Sequence, residues 1–196
     1  SNVRLITNGF DKDDFDVKQL ESDKFIIGHF GLLNHLRNPK NLWKTLNDLC
    51  DKDPDFNEKL EIRLSGNIDT EVLQNITQYF YLKNKVKILG YLSHKDVLIQ
   101  YNSSSVLLLL LFNSESGKGN YPGKIFEYFA AKRTILAFGP EDSDTEKLIQ
   151  KTKTGVFFTY DEMELKKEIL DLFHNDGNPL ASTEIEGFSR KKLTTD

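Results

Sequence analysis

Between Ser116 and Gly139 the sequence places two Gly-Lys pairs, Gly117-Lys118 and Gly123-Lys124, in a glycine-punctuated loop ahead of an apolar segment of helical period. A Gly-Lys pair at a helix start is suited to hold an anion. The glycine admits close backbone approach, the first-turn N–H groups lack intrahelical acceptors, and the ammonium adds charge in the same direction. Pro122 fits the first turn, and the 3.6-residue period puts Ile125, Phe126, Phe129 and Ala130 on a buried face, with Lys124, Glu127 and Tyr128 on the other edge. A lysine there opposes the helix dipole, and Lys preceding Glu is the poorer orientation for an ion pair worth only ~0.2–0.5 kcal/mol when well placed. Two readings stay open at this point: a solvated Lys124–Glu127 surface pair, or a bound anion that compensates the ammonium.

Other chemistries fit less well. A phosphate-binding P-loop would need Gly where Lys118 stands and Ser or Thr where Ile125 stands. No Gly-x-Gly-x-x-Gly fingerprint follows the first strand, which leaves a nicotinamide or flavin cofactor without support. His29, His35, His94 and His174 have no paired metal-ligand spacing, so neither a metal nor a resident cofactor is expected. Ser143 and Asp144 read as helix caps.

The elements that must position these residues are legible as an alternation. The runs KFIIGHF, LEIRLSG, KVKILGY, SVLLLLLF, TILAFG and GVFF read as strands. Between and after them lie helical patterns over 41–51, 69–82, 93–101, 122–131, 142–151 and 161–173, with Ser93 and Asp161 as N-caps. Strands apolar on both faces that alternate with helices predict a doubly wound α/β fold, a mostly parallel six-stranded sheet covered on both sides. Ligands of such sheets bind beyond the carboxyl ends of the strands, at the loops after Phe30, Ser65, Leu89, Phe112 and Phe138.

A chain of 196 residues, 38% apolar, supports one core, expected over 24–196, with 1–23 as a linker entering it. Both ends read as cut, although Thr183 and Glu186 open a capping box near the second. A net charge of −4 with interspersed signs argues against a nucleic-acid partner. The single Cys50 lies in an apolar-periodic stretch and reads as a core residue in a reducing compartment. The longest apolar run, Val106 to Phe112, falls far short of the roughly 20 residues of a membrane span, so a soluble chain is expected, and the reducing compartment read from Cys50 makes it cytoplasmic.

These segments in this order carry a resemblance. NYPGKIFEYFAAKRTILAFGPEDSDTEKLIQKTKTGVFF resembles the core of the C-terminal, nucleotide-sugar-binding domain of GT-B-type glycosyltransferases, in the group that includes bacterial polysaccharide-assembly enzymes. Upstream, TNGFDKDDF is similar to the interdomain linker, GHFGLLNHLRNPKNLWKTL to the first strand, basic loop and helix, and VKILGYLSHKDVLIQYNSSSVLLLL to the elements flanking the base. The resemblance implies a sugar donor linked to UDP or GDP, and an N-terminal acceptor domain as partner. Any contact with the inner face of a membrane would be made through that absent half.

Residue by residue, the resemblance implies that Glu127 binds the ribose hydroxyls, that Gly123, Lys124 and Arg37 face the diphosphate, and that Gly90 and Tyr91 line the base. Many retaining members have a second Glu eight positions before the ribose-binding one, but Gly119 stands there; Glu115 is the candidate substitute for a sugar contact. No catalytic residue is assigned. Half of a nucleotide-sugar epimerase, or a non-catalytic nucleotide-binding α/β module, are the alternatives.

Overall fold

A computed structural model describes residues 22–119, 121–175, 177, 185 and 188. The expectations for the linker before residue 22 and for the Thr183–Glu186 capping box lie outside them. Six strands, β1 (Phe25–Phe30), β2 (Leu60–Ser65), β3 (Val86–Gly90), β4 (Val106–Leu110), β5 (Thr134–Phe138) and β6 (Gly155–Phe158), form one sheet in the order β3-β2-β1-β4-β5-β6. Every pairing is parallel.

The side-chain period of two sends alternate strand residues into separate apolar layers. Val106, Leu108 and Leu110 of β4 pack with helices α1 (Lys40–Lys52), α2 (Pro54–Lys59), α3 (Thr70–Thr77) and α7 (Lys166–His174). Leu107 and Leu109 pack on the opposite face with α4 (His94–Asn102), α5 (Lys124–Ala131) and α6 (Asp144–Thr152). Phe188 returns to this second layer, its ring centroid 5.8 Å from those of Phe126 and Phe129. Cys50 is buried in the first layer, where burial pushes its thiol up to about 11.

The expected strands and layers are observed, but the two edge strands are not buried on both faces: Ile88 of β3 remains 49% exposed, and Gly155, Val156 and Phe157 of β6 are only partly buried. The helices differ more at their starts. Ser93 and Ser143 cap α4 and α6 by accepting from the N–H of Asp96 and Glu146. Asp161 caps nothing, because Asn41 Nδ2 donates to the carbonyls of Thr159 and Glu162 and holds 159–165 as a loop over α1. The helix expected over 161–173 therefore begins at Lys166. The pattern over 69–82 ends as α3 at Thr77, with Leu82–Asn84 a separate 3-10 turn. α2, capped by Asp53 through the N–H groups of Asp55 and Phe56, is an addition.

Candidate functional site

The strand order reverses between β1 and β4, whose successors cross to opposite faces of the sheet. A crevice opens there at the carboxyl edge, the usual ligand position in open α/β sheets. The loops after β1 and β4 meet at it, with Asn113 N–H donating to the Leu36 carbonyl at 3.0 Å.

Lys124, the first residue of α5, reaches from the β4 side across to β1. Its ammonium lies against Gly31, where an added Cβ would collide with Nζ, and Gly31 has a φ of +155° that also favours glycine. The side chain is half-buried. Burial lowers its pKa, Glu127 opposes that, and the charge of Arg37 adds to the lowering. The ammonium has no hydrogen bond or ion pair among the described residues.

Arg37 closes the 3-10 turn His35–Arg37 and stacks its guanidinium 3.9 Å from the centroid of the Phe112 ring. Its Nε is buried without a partner among the described residues, and so is Asn34 Oδ1 in the same loop. Burial pulls the arginine below its ordinary value, with Tyr160 opposing. Asn38, next along the loop, accepts the indole N–H of the buried Trp43 at 2.8 Å and ties the loop to α1.

Glu127 does not pair with Lys124. Its Oε2 accepts the hydroxyl of Tyr101, a residue of α4 only 1% exposed, at 2.9 Å. The solvated Lys124–Glu127 pair is thus replaced by a half-buried cation and a carboxylate held from the neighbouring helix. The expected outer edge of α5 is corrected too. Tyr128 is fully buried because α4 covers that side, its ring 5.1 Å from that of Tyr101.

Beneath the site, His29 is 5% exposed and holds both ring nitrogens near carbonyls, Nδ1 3.0 Å from Leu108 O and Nε2 3.3 Å from Leu32 O. Burial outweighs the Leu108 contact, Lys124 and Arg37 push the same way, and the imidazole is lowered to about 4.

The remaining expected residues make no hydrogen bond or ion pair with Arg37 or Lys124 among the described residues, although Gly66, which donates to the Gly90 carbonyl, packs against Gly31. Gly90, at φ +69°, turns the end of β3 while its carbonyl accepts from Ser65 Oγ at 2.7 Å and Gly66 N–H at 3.0 Å. Tyr91 stands 95% exposed at the same sheet edge, two strands from β1. Glu115, exposed at the start of the turn Glu115–Gly117, pairs with Lys118 at 2.9 Å. A Cβ at Gly119 would meet nothing within 4 Å, so the position lacking the second carboxylate is open. A hollow of about 620 Å³ lies instead at the amino edge, lined by Lys24, Asn102, Ser104 and Arg133 among others. It is remote from Lys124 and Arg37, and Arg133 is already engaged with the Asn102 carbonyl.

Sequence reasoning missed Tyr101, Asn34 and Phe112. Tyr101 is one more apolar-face position of an ordinary helix, and nothing in its spacing announces a hydroxyl aimed at another helix. Phe112 ends the most apolar run, where an aromatic reads simply as strand.

The family described as "Glycosyl transferases group 1" matches residues 10–186. No curated protein matches the chain. Among solved structures, a glycosyltransferase from Rickettsia africae ESF-5 is similar at 19% identity and TM-score 0.69, over 98% of this chain and 54% of that one. The lipopolysaccharide outer core galactosyltransferase WaaB in its apo form gives 14% identity and TM-score 0.66, over 98% and 53%. The C-terminal domain of a group 1 family glycosyl transferase, LpcC from Francisella tularensis, gives 13% and 0.60, over 95% of both chains. This chain therefore spans about half the length of the first two, and about the whole of a relative described as a C-terminal domain.

Proposed function

Since the chain belongs to the group 1 glycosyl transferases, we propose that it is the donor-binding half of an enzyme that moves a sugar from a nucleoside-diphospho-sugar to a saccharide or lipid-linked acceptor. The observation that carries this reading is the pair of half-buried cations, Arg37 and Lys124, facing the β1/β4 crevice without a counter-ion among the described residues. A diphosphate supplies the missing charge. The start of α5 adds its dipole and the N–H groups of Gly123 and Lys124 themselves, those of Ile125 and Phe126 already donating to the carbonyls of Pro122 and Gly123.

In this reading Arg37 and Lys124 hold the diphosphate in the ground state and stabilise the negative charge that grows on it as the glycosidic bond breaks. Glu127 accepts from the ribose, Gly90 and Tyr91 border the base, and Glu115 could meet the sugar only by leaving Lys118. The donor is UDP- or GDP-linked, and the reaction needs no resident cofactor from this half. The acceptor side belongs to an N-terminal domain. Among the described residues no helix is long and apolar enough to cross a membrane, and a cytoplasmic setting, peripheral to the inner face, completes the reading. The family match supports transfer over the epimerase alternative.

The test is a thermal-melt series with UDP, GDP and ADP. One of them at a hundred times its dissociation constant should stabilise the chain by ~2.7 kcal/mol. Absence of any shift at millimolar concentration would sink the proposal. Transfer by this half alone is not expected, because aligning donor with acceptor contributes roughly 7–11 kcal/mol of barrier lowering.

A further inference from the structure

Tyr101 has two sets of partners that ask different things of it. Its ring is packed edge-on against Phe30, at 5.2 Å between centroids, and against Tyr128, at 5.1 Å. Its hydroxyl, at the end of a side chain 1% exposed, is bound to Glu127 Oε2 at 2.9 Å. The rings alone would be served by phenylalanine. A buried hydroxyl costs free energy unless it is paired, so its presence implies a use for the bond.

The bond fixes a carboxylate that is otherwise free to rotate. Glu127 forms no ion pair among the described residues, and Oε1 has no hydrogen-bond partner among them, so one oxygen is anchored and the other is left to accept from a ligand. A carboxylate that accepts from two vicinal hydroxyls must present a fixed plane, and tethering one oxygen from a separate helix sets that plane before the ligand arrives. Tyr101 is itself anchored to the C-terminal residue of β1 through Phe30, so the tether is rigid at its far end.

We infer that Tyr101 is a positioning residue for ribose recognition: it orients Glu127 toward the vicinal hydroxyls and so sets the preference of this half for ribonucleotides over their dideoxy counterparts. The inference rests on the proposed role of Glu127 and deepens it.

The experiment compares the nucleoside diphosphate that gives the largest melt shift with its 2′,3′-dideoxy form, by titration calorimetry on the chain, on Tyr101→Phe, on Glu127→Ala and on the double variant. The parent should prefer the ribose form by about tenfold or more, as loss of a hydrogen bond to a charged group implies. Tyr101→Phe should lose most of that preference through weaker ribonucleotide binding, leave the dideoxy affinity unchanged, and add nothing once Glu127 is alanine. A merely structural tyrosine would shift both ligands together. Tyr101→Phe keeps the ring and its contacts with Phe30 and Tyr128, so the variant is expected to fold and to isolate the hydroxyl. A parent that does not distinguish the two ligands overturns the role of Glu127 and this inference with it. A parent that distinguishes them beside a Tyr101→Phe that does so equally well overturns the inference alone.

Discussion

Buried charge is handled in opposite ways at two places in this molecule. Facing α4, the Glu61 carboxylate of β2, 8% exposed, receives Arg63 Nε at 2.6 Å and Lys87 Nζ at 2.5 Å, and Gln100 accepts a further arginine N–H at 3.0 Å. Burial works to raise that carboxyl, but Lys87 and Arg63 hold it below the ordinary range. At the β1/β4 crevice Arg37 and Lys124 are similarly withdrawn from water, yet no carboxylate meets either among the described residues. The first cluster is complete within the chain. The second has no anion of its own among the described residues, and under the proposed function the contrast separates charge that serves the fold from charge held for a ligand.

The contrast can be broken most forcefully at Glu61. Glu61→Ala leaves Arg63 partnered only by Gln100 and should cost about 3 kcal/mol in urea unfolding, the low end for breaking a buried pair because Lys87 is exposed. The nucleotide-induced melt shift should survive in that variant. Lys124→Met should do the reverse. It should weaken diphosphate binding by about 2 kcal/mol, roughly thirtyfold, while ligand-free stability holds or rises because an uncompensated half-buried charge is gone. If ligand-free Lys124→Met melts well below the parent, the lysine serves the fold and the contrast is lost.

Acid sharpens the comparison from beneath the site. Between the ordinary imidazole value near 6.5 and the native value of about 4, the unfolded chain binds a proton at His29 that the native state refuses. Stability gained from keeping His29 neutral is therefore present above that window and lost as pH falls through it. Between pH 7 and pH 5 the loss should be about 1–2 kcal/mol, and His29→Gln should flatten that part of the melting profile. An unchanged slope in the variant would remove His29 from the account. The smallest effect belongs to the exposed Lys44–Asp48 pair, 2.6 Å apart on α1, where Lys44→Ala should leave the urea midpoint unchanged within error.

What the sequence discloses and what it hides divide along similar lines. Apolar runs such as VLLLL and TILAF are legible because burial on both faces excludes polar residues from every position. Ser93 and Ser143 are legible because capping is local chemistry. Lys124 stands out through residue type and its place at a helix start, whereas Arg37 and Glu127 are singled out only by the resemblance, and the structure brings Lys124 to the end of β1 near Arg37. The start of α7 is hidden, since Asp161 has the right chemistry for a cap but a contact from Asn41, distant in the chain, decides the outcome. The Tyr101–Glu127 bond is hidden for the same reason: its partners are 26 residues apart and meet only because α4 and α5 lie side by side. Tyr128 is misread because a helix periodicity defines one buried face and gives no notice of a second neighbour.

The hydrogen bond between Trp43 and Asn38 gives the site a built-in optical reporter. Trp43 is the sole tryptophan of the 196 residues, it is fully buried, and its indole N–H is held by the residue adjoining Arg37. Excitation at the long-wavelength edge of the near ultraviolet, beyond the absorption of the seven tyrosines, selects a single fluorophore in apolar surroundings, free of overlapping emission from any second indole. A diphosphate that draws Arg37 toward it pulls on the same short loop and should alter the intensity or wavelength of that emission, so occupancy of the crevice can be followed in unlabelled protein.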